Sequence, residues 1–145
     1  MSAPQRLGWQ VWAAVAAGAF LGAEGRYWLL EAFPPAPAAI DWTTLGINIG
    51  ASLLLGFLTS QWLRQPAAPF WLKAGLGPGL LGSFSTFSAL ALTVEDSLAR
   101  GRPGVWLAYL LLSVAGGLAA AAAGLWLGNR AGGPFRRRKA PGRLP

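Results

Sequence analysis

Apolar positions along this chain come in long unbroken blocks, not in the every-other or every-third pattern of a soluble strand or surface helix. Four such blocks, near 8 to 32, 42 to 63, 71 to 97 and 104 to 129, are separated by short polar, proline-rich or basic segments. A helix needs about 20 mostly apolar residues to cross the hydrocarbon core of a bilayer, and each block meets that length. Backbone groups in lipid must bond internally, so the blocks are predicted to be helices. The run from Leu107 to Leu127 is almost continuously apolar, which is foreign to the alternation of a barrel strand. The expected fold is an all-α membrane protein of four transmembrane helices, forming one unit over residues 1–129.

Punctuation supports these limits. Phe33-Pro34-Pro35-Ala36-Pro37 is a stiff connector after the first helix, and Gln65-Pro66-Ala67-Ala68-Pro69 follows the second. Arg100-Gly101-Arg102-Pro103-Gly104 separates the third from the fourth, and residues 130–145 read as a basic, disordered tail. The third block departs from its neighbours: Gly75-Leu76-Gly77-Pro78-Gly79-Leu80-Leu81-Gly82 passes into the hydroxyl-rich Ser83-Phe84-Ser85-Thr86-Phe87-Ser88. Four glycines and a proline predict a break or kink in mid-membrane, where unwound backbone is tolerated only inside protein or beside a watery cavity. For Gly116-Gly117 in the fourth block, close helix packing is the simpler expectation.

Composition sharpens the picture: 54% of residues are hydrophobic and 12% charged. All eight tryptophans (Trp9, Trp12, Trp28, Trp42, Trp62, Trp71, Trp106 and Trp126) fall near a proposed helix end, the zone that amphipathic rings favour. The first twenty residues have the outline of a secretory signal, but the apolar run continues into Gly22, Arg26 and Tyr27, so a retained helix is expected.

The net charge of +7 is concentrated in the tail, which holds Arg130, Arg136, Arg137, Arg138, Lys139 and Arg143, and nucleic acid is not an expected partner. Elsewhere Arg6, Arg64 and Lys73 balance Arg26, Arg100 and Arg102 across the bilayer. Such a balance permits insertion in both orientations, and the tail favours the one with both termini in the cytoplasm.

Chemistry is limited by what is missing. The sequence contains no cysteine and no histidine, and no pair of acids lies at membrane depth, so an enzyme is not expected. The polar groups at that depth are Asn48, Ser52, the third-block hydroxyls, Tyr109 and Ser113. All are neutral groups able to donate hydrogen bonds, which suits an anion. Phe87 adds the positive edge of an aromatic ring. Together they can replace the water of a small halide without a full positive charge, which would hold the ion too tightly to conduct.

Three stretches then resemble the Fluc, or CrcB, fluoride channels. Gly18-Ala19-Phe20-Leu21-Gly22-Ala23-Glu24-Gly25-Arg26-Tyr27 is similar to the family's first-helix pattern. Thr44-Leu45-Gly46-Ile47-Asn48, continuing through Ser52 to Gly56-Phe57, is similar to its asparagine-centred second helix. Gly82-Ser83-Phe84-Ser85-Thr86-Phe87-Ser88 resembles the signature of its broken third helix. The resemblance implies an antiparallel dual-topology dimer in a bacterial inner membrane, passive fluoride export, and a structural sodium ion on backbone carbonyls, here those of Gly82 and Ser85. It also implies an anion path past Asn48, Phe87, Ser88, Leu90, Tyr109 and Ser113, with Arg26 toward the aqueous entrance. Leu90 stands where the family has a second phenylalanine, Ala89 replaces a threonine of the hydroxyl track, Thr93 replaces an acid (Glu95 being displaced by two), and Ala51 and Leu53 replace Gly and Phe. These losses fit a specialised subunit of a heterodimer, a homodimer being the alternative. The rival functions are a small multidrug transporter coupled through Glu24 and a non-conducting assembly subunit.

Overall fold

The computed structural model describes residues 8–35 and 40–131, so the basic tail beyond Ala131 and the middle of the first connector lie outside the described residues. All regular secondary structure in the described residues is helical: α1 (Trp9–Ala32), α2 (Trp42–Arg64), α3 (Phe70–Ala74), a π-helical stretch (Gly75–Leu81), α4 (Gly82–Phe84), α5 (Ser88–Ala99) and α6 (Pro103–Ala131).

Local chemistry sets the limits. Asp41 caps α2 by accepting from the Thr44 amide at 2.8 Å and from the Thr44 hydroxyl at 2.5 Å, satisfying donors that the first turn leaves without partners. Gly101 turns the chain with φ +63°, a conformation that penalises a side chain, and Pro103 opens α6 at a first helical position, where its missing N–H costs nothing. Asp96 and Arg100 close α5 with an ion pair at 2.8 Å.

Three helical runs are long and apolar enough to cross a membrane: Trp42–Arg64, Phe70–Ala99 and Pro103–Ala131. The 24-residue α1 has the length but not the apolarity, because Glu24, Arg26 and Glu31 crowd its second half. The expectation of a break within the glycine cluster differs from the geometry. Gly75–Leu81 stays wound, but as a wider π-helix containing Pro78. A wider turn relieves the clash between the proline ring and the preceding turn, so the ladder bulges without parting. The helix ends four residues later, where Ser85 adopts ψ 157°.

Packing pairs the elements two by two. The α2–α6 contact is the most extensive, followed by α1 against the π-helical stretch, while α5 packs against α6. Glycine permits both large contacts. A Cβ on Gly18 or Gly22 would strike the carbonyl oxygens of Gly75 and Leu80, and one on Gly124 would strike that of Leu53. Gly116 and Gly117 face Ile49 and Ser52 across the α2–α6 seam, as close packing requires. The seam is closed at one end by Ser60 donating to Asn129 Oδ1 at 3.0 Å, Gln61 to Gly128 O at 3.0 Å and Arg64 to Asn129 O at 2.6 Å.

The interior is small: Leu45, Leu90 and Tyr109 form its centre, edged by Ile40, Ile49, Val94 and Leu110. The outside is largely apolar, with Phe20, Leu118 and Phe87 each well exposed. That distribution inverts a soluble protein's and suits lipid or a partner chain.

Candidate functional site

The interruption between α4 and α5 is where the polar groups gather. Ser85 leaves the helix with its amide on Leu81 O at 3.0 Å and its hydroxyl on the same oxygen at 2.9 Å. Thr86, next in line, has both backbone groups taken by one side chain. Its N–H donates to Asn48 Oδ1 at 2.8 Å, and its carbonyl accepts from Asn48 Nδ2 at 2.9 Å. A carboxamide has the donor-acceptor pair of a peptide group, so Asn48 replaces the helical partners that Thr86 has lost. The Thr86 and Ser88 hydroxyls lie 2.9 Å apart at the start of α5. Phe87 between them is 79% exposed, its ring standing off the chain.

Asn48 reaches this position because α2 carries Thr44, Asn48 and Ser52 at spacings of four, on one face. Ser52 lines an open groove with Pro78, Leu81, Gly82 and Ser85, directly beside the interruption. The resemblance gave Gly82 and Ser85 as sodium ligands. Ser85's extended ψ takes its carbonyl out of the helical ladder, while its hydroxyl is spent on Leu81. Backbone oxygens of this kind are hard donors that fit a hard cation, though two from one chain are too few for a full shell. Among the described residues, no group of three or more acidic side chains offers another metal site.

The remaining residues of the expected path fall elsewhere. Leu90 is 7% exposed and Tyr109 fully buried, both in the core with Leu45. One turn along α6 from Tyr109 lies Ser113; the Tyr109 hydroxyl and Ser113 Oγ are both buried without a hydrogen-bond partner. Arg26 is half-buried on α1, beside Gly25, which faces the Phe84 ring, and makes no hydrogen bond or ion pair with a described residue. The structure therefore brings together Asn48, Ser85, Phe87 and Ser88 at the interruption, packs Leu90 of α5 against Tyr109 of α6 with Ser113 one turn along, and leaves Arg26 apart. Sequence reasoning overlooked the backbone of Thr86, the central partner of Asn48. Only its hydroxyl was legible, as part of a polar run.

What this arrangement can do chemically is donate. Asn48 keeps a second amide hydrogen beyond the one given to Thr86, the Thr86–Ser88 hydroxyl pair keeps one hydrogen more than its shared bond uses, and Tyr109 and Ser113 are uncommitted. These features define an all-helical, multi-pass membrane protein whose neutral donors collect at an interrupted helix.

Comparison with known proteins gives the family. Residues 13–125 match the family described as CrcB-like protein, Camphor Resistance (CrcB), and the chain belongs to it. Among its relatives, the fluoride-specific ion channel FluC 2 of Thermobifida fusca is 40% identical over 117 residues, covering 81% of this chain and 87% of that one. The fluoride-specific ion channel FluC of Azotobacter vinelandii is 40% identical over 118 residues, covering 79% and 93%. The fluoride-specific ion channel FluC 1 of Ligilactobacillus salivarius is 36% identical over 115 residues, covering 79% and 96%.

Proposed function

We propose that this chain is the subunit of a fluoride-selective channel that lets the ion leave the cell passively. The observation that carries the reading is the Asn48 clamp. It holds a helix open at Thr86 while presenting neutral donors and the Phe87 ring side by side. A small, strongly hydrated anion must find substitutes for its water as it crosses, and amide, hydroxyl and ring-edge contacts supply them without trapping it. Membership of a family whose named relatives are ion channels argues against an enzyme. It argues equally against proton-coupled multidrug transport through Glu24, which is exposed on α1.

The finer architecture follows the same reading. α1 is the fourth membrane span, since its glycine face lies along the π-helical stretch of a spanning run. The interruption at Ser85 lies at mid-membrane, and two chains assemble antiparallel, burying the exposed Phe87 and lining the path with Asn48, Ser88, Tyr109 and Ser113. The Gly82 and Ser85 carbonyls of both copies would hold a sodium ion, which would supply a fixed positive charge at the interruption. Relatives numbered FluC 1 and FluC 2 are consistent with a paralogous partner, which the substitutions at Ala89 and Leu90 also favour. The membrane is the bacterial inner one.

The test is fluoride release from liposomes containing the purified chain, with chloride as control. Rapid fluoride release beside negligible chloride release is expected. No release from the chain alone, restored when a second family member is co-purified with it, would establish a heterodimer. No release under either condition refutes the channel.

A further inference from the structure

Tryptophans near the ends of membrane helices ordinarily turn their indole N–H to water or headgroups. Trp106 does not. Its Nε1 is buried within the chain and has no hydrogen-bond partner, as have Tyr109 Oη and Ser113 Oγ. The three residues stand at spacings of three and four on α6, so they share one face and form a column running inward from the first turn of the helix. A second copy of the chain can only deepen this burial.

The three groups are not equivalent. A hydroxyl in a dry site can turn to donate or accept, but an indole N–H only donates, so Trp106 calls for something electron-rich. A donor left without a partner in an apolar setting costs free energy that a bound anion would recover. The Asp41 carboxylate, within electrostatic reach of Tyr109, accepts from the Thr44 amide and hydroxyl and makes no hydrogen bond to Trp106 Nε1 or Tyr109 Oη. Thr93, also beside Tyr109, gives its hydroxyl hydrogen to Ala89 O at 3.0 Å, and its oxygen accepts no hydrogen bond from Trp106 Nε1.

We propose that Trp106 Nε1 is a further fluoride-binding group, extending the donor column from Ser113 and Tyr109 toward the amino-terminal end of α6. This inference rests on the channel reading above. Trp106 would take the ion as it sheds its outer water and pass it to the Tyr109 hydroxyl, one turn deeper. Its indole nitrogen is already buried and has no hydrogen-bond partner to give up when the ion arrives.

Two measurements test this on the full chain. In liposomes, W106F, which keeps an aromatic ring but loses the N–H, is expected to release fluoride roughly tenfold more slowly, the loss typical of one hydrogen bond to an ion. Its melting temperature and elution volume in detergent should stay those of the wild type. In micelles, 15N-tryptophan-labelled wild type should show one indole resonance, absent from W106F or W106Y, that shifts with added sodium fluoride and not with sodium chloride. Unchanged release by a folded W106F, or an indole resonance indifferent to fluoride, overturns the assignment. If W106F fails to fold, the wild-type titration, assigned with W106Y, decides alone. A wild type that releases no fluoride sinks the channel reading, whereas a conducting wild type with an indifferent indole sinks only the role of Trp106.

Discussion

Asn48 joins two jobs in one side chain, and they can be separated by substitution. Asn48→Asp keeps an acceptor for the Thr86 N–H but sets a second oxygen against the Thr86 carbonyl, where Nδ2 donated at 2.9 Å. Leaving that carbonyl unpaired costs about 1–3 kcal/mol. The expected outcome is a lower melting temperature in detergent together with fluoride release reduced at least tenfold. Ser85→Ala makes the contrast: it removes only the hydroxyl bond to Leu81 O, which the Ser85 amide also serves, and leaves the carbonyl in place. Its effect on melting should be under about 1 kcal/mol, a typical net value for one hydrogen bond. Asp41→Ala removes the α2 cap and exposes the buried Thr44 amide and hydroxyl to loss of their acceptor, at a cost of about 1–2 kcal/mol, readable as a shift in thermal unfolding.

Between helices, the contacts rest on absent side chains more than on present ones. Lipid tails are as apolar as leucine, so helices associate through close packing, and a glycine face gains most from it. Gly22→Val would force α1 away from Leu80, and Gly124→Val would force α6 away from Leu53; both should reduce the yield of monodisperse protein in size-exclusion chromatography severalfold. Gly46→Ala is the control, since a Cβ there meets nothing within 4 Å, and its profile should match the wild type. The π-helical stretch belongs to the same logic. A straight α-helix over Gly75–Leu81 would drive the Pro78 ring into the preceding turn, and the widened turn avoids this while keeping Gly75 and Gly79 against α1. Low apolar content counted against α1 as a membrane helix, yet its Gly18 and Gly22 face explains how a helix carrying Glu24 and Arg26 still lies beside a spanning run.

Taken whole, a single chain has a small core, an exposed Phe87 and an open groove lined by Gly82 and Ser85, the features that the proposed partner and sodium ion would cover. If sodium joins two copies through Gly82 and Ser85, exchanging it for a bulky organic cation should lower the melting temperature and shift the elution of the detergent-solubilised dimer toward monomer. Orientation is testable because the chain has no native cysteine. A cysteine placed at Gln65 should react with an impermeant maleimide in few intact cells, and in many more once residues 132–145 are removed, since the tail carries five of the twelve basic residues within those positions. Equal labelling with and without the tail would remove its role in setting topology.

The amino-acid sequence by itself determined the helical class, the approximate limits of each helix and the neutral, donor-rich chemistry of the site. Those follow from solvation: apolar runs of membrane length must be helical, and a chain without histidine, cysteine or paired acids leaves an anion little but amide, hydroxyl and ring edge. Tertiary structure alone decided where the third helix parts and which donors are spent. The glycine cluster with Pro78 looked like the weak point, but a π-helix absorbs one missing amide, whereas Thr86 can leave the ladder only because Asn48, thirty-eight positions earlier, supplies a substitute peptide group. Likewise nothing in the spacing of tryptophans told Trp106 from the other seven; its indole nitrogen is set apart by burial, a property of neighbours and not of residue type.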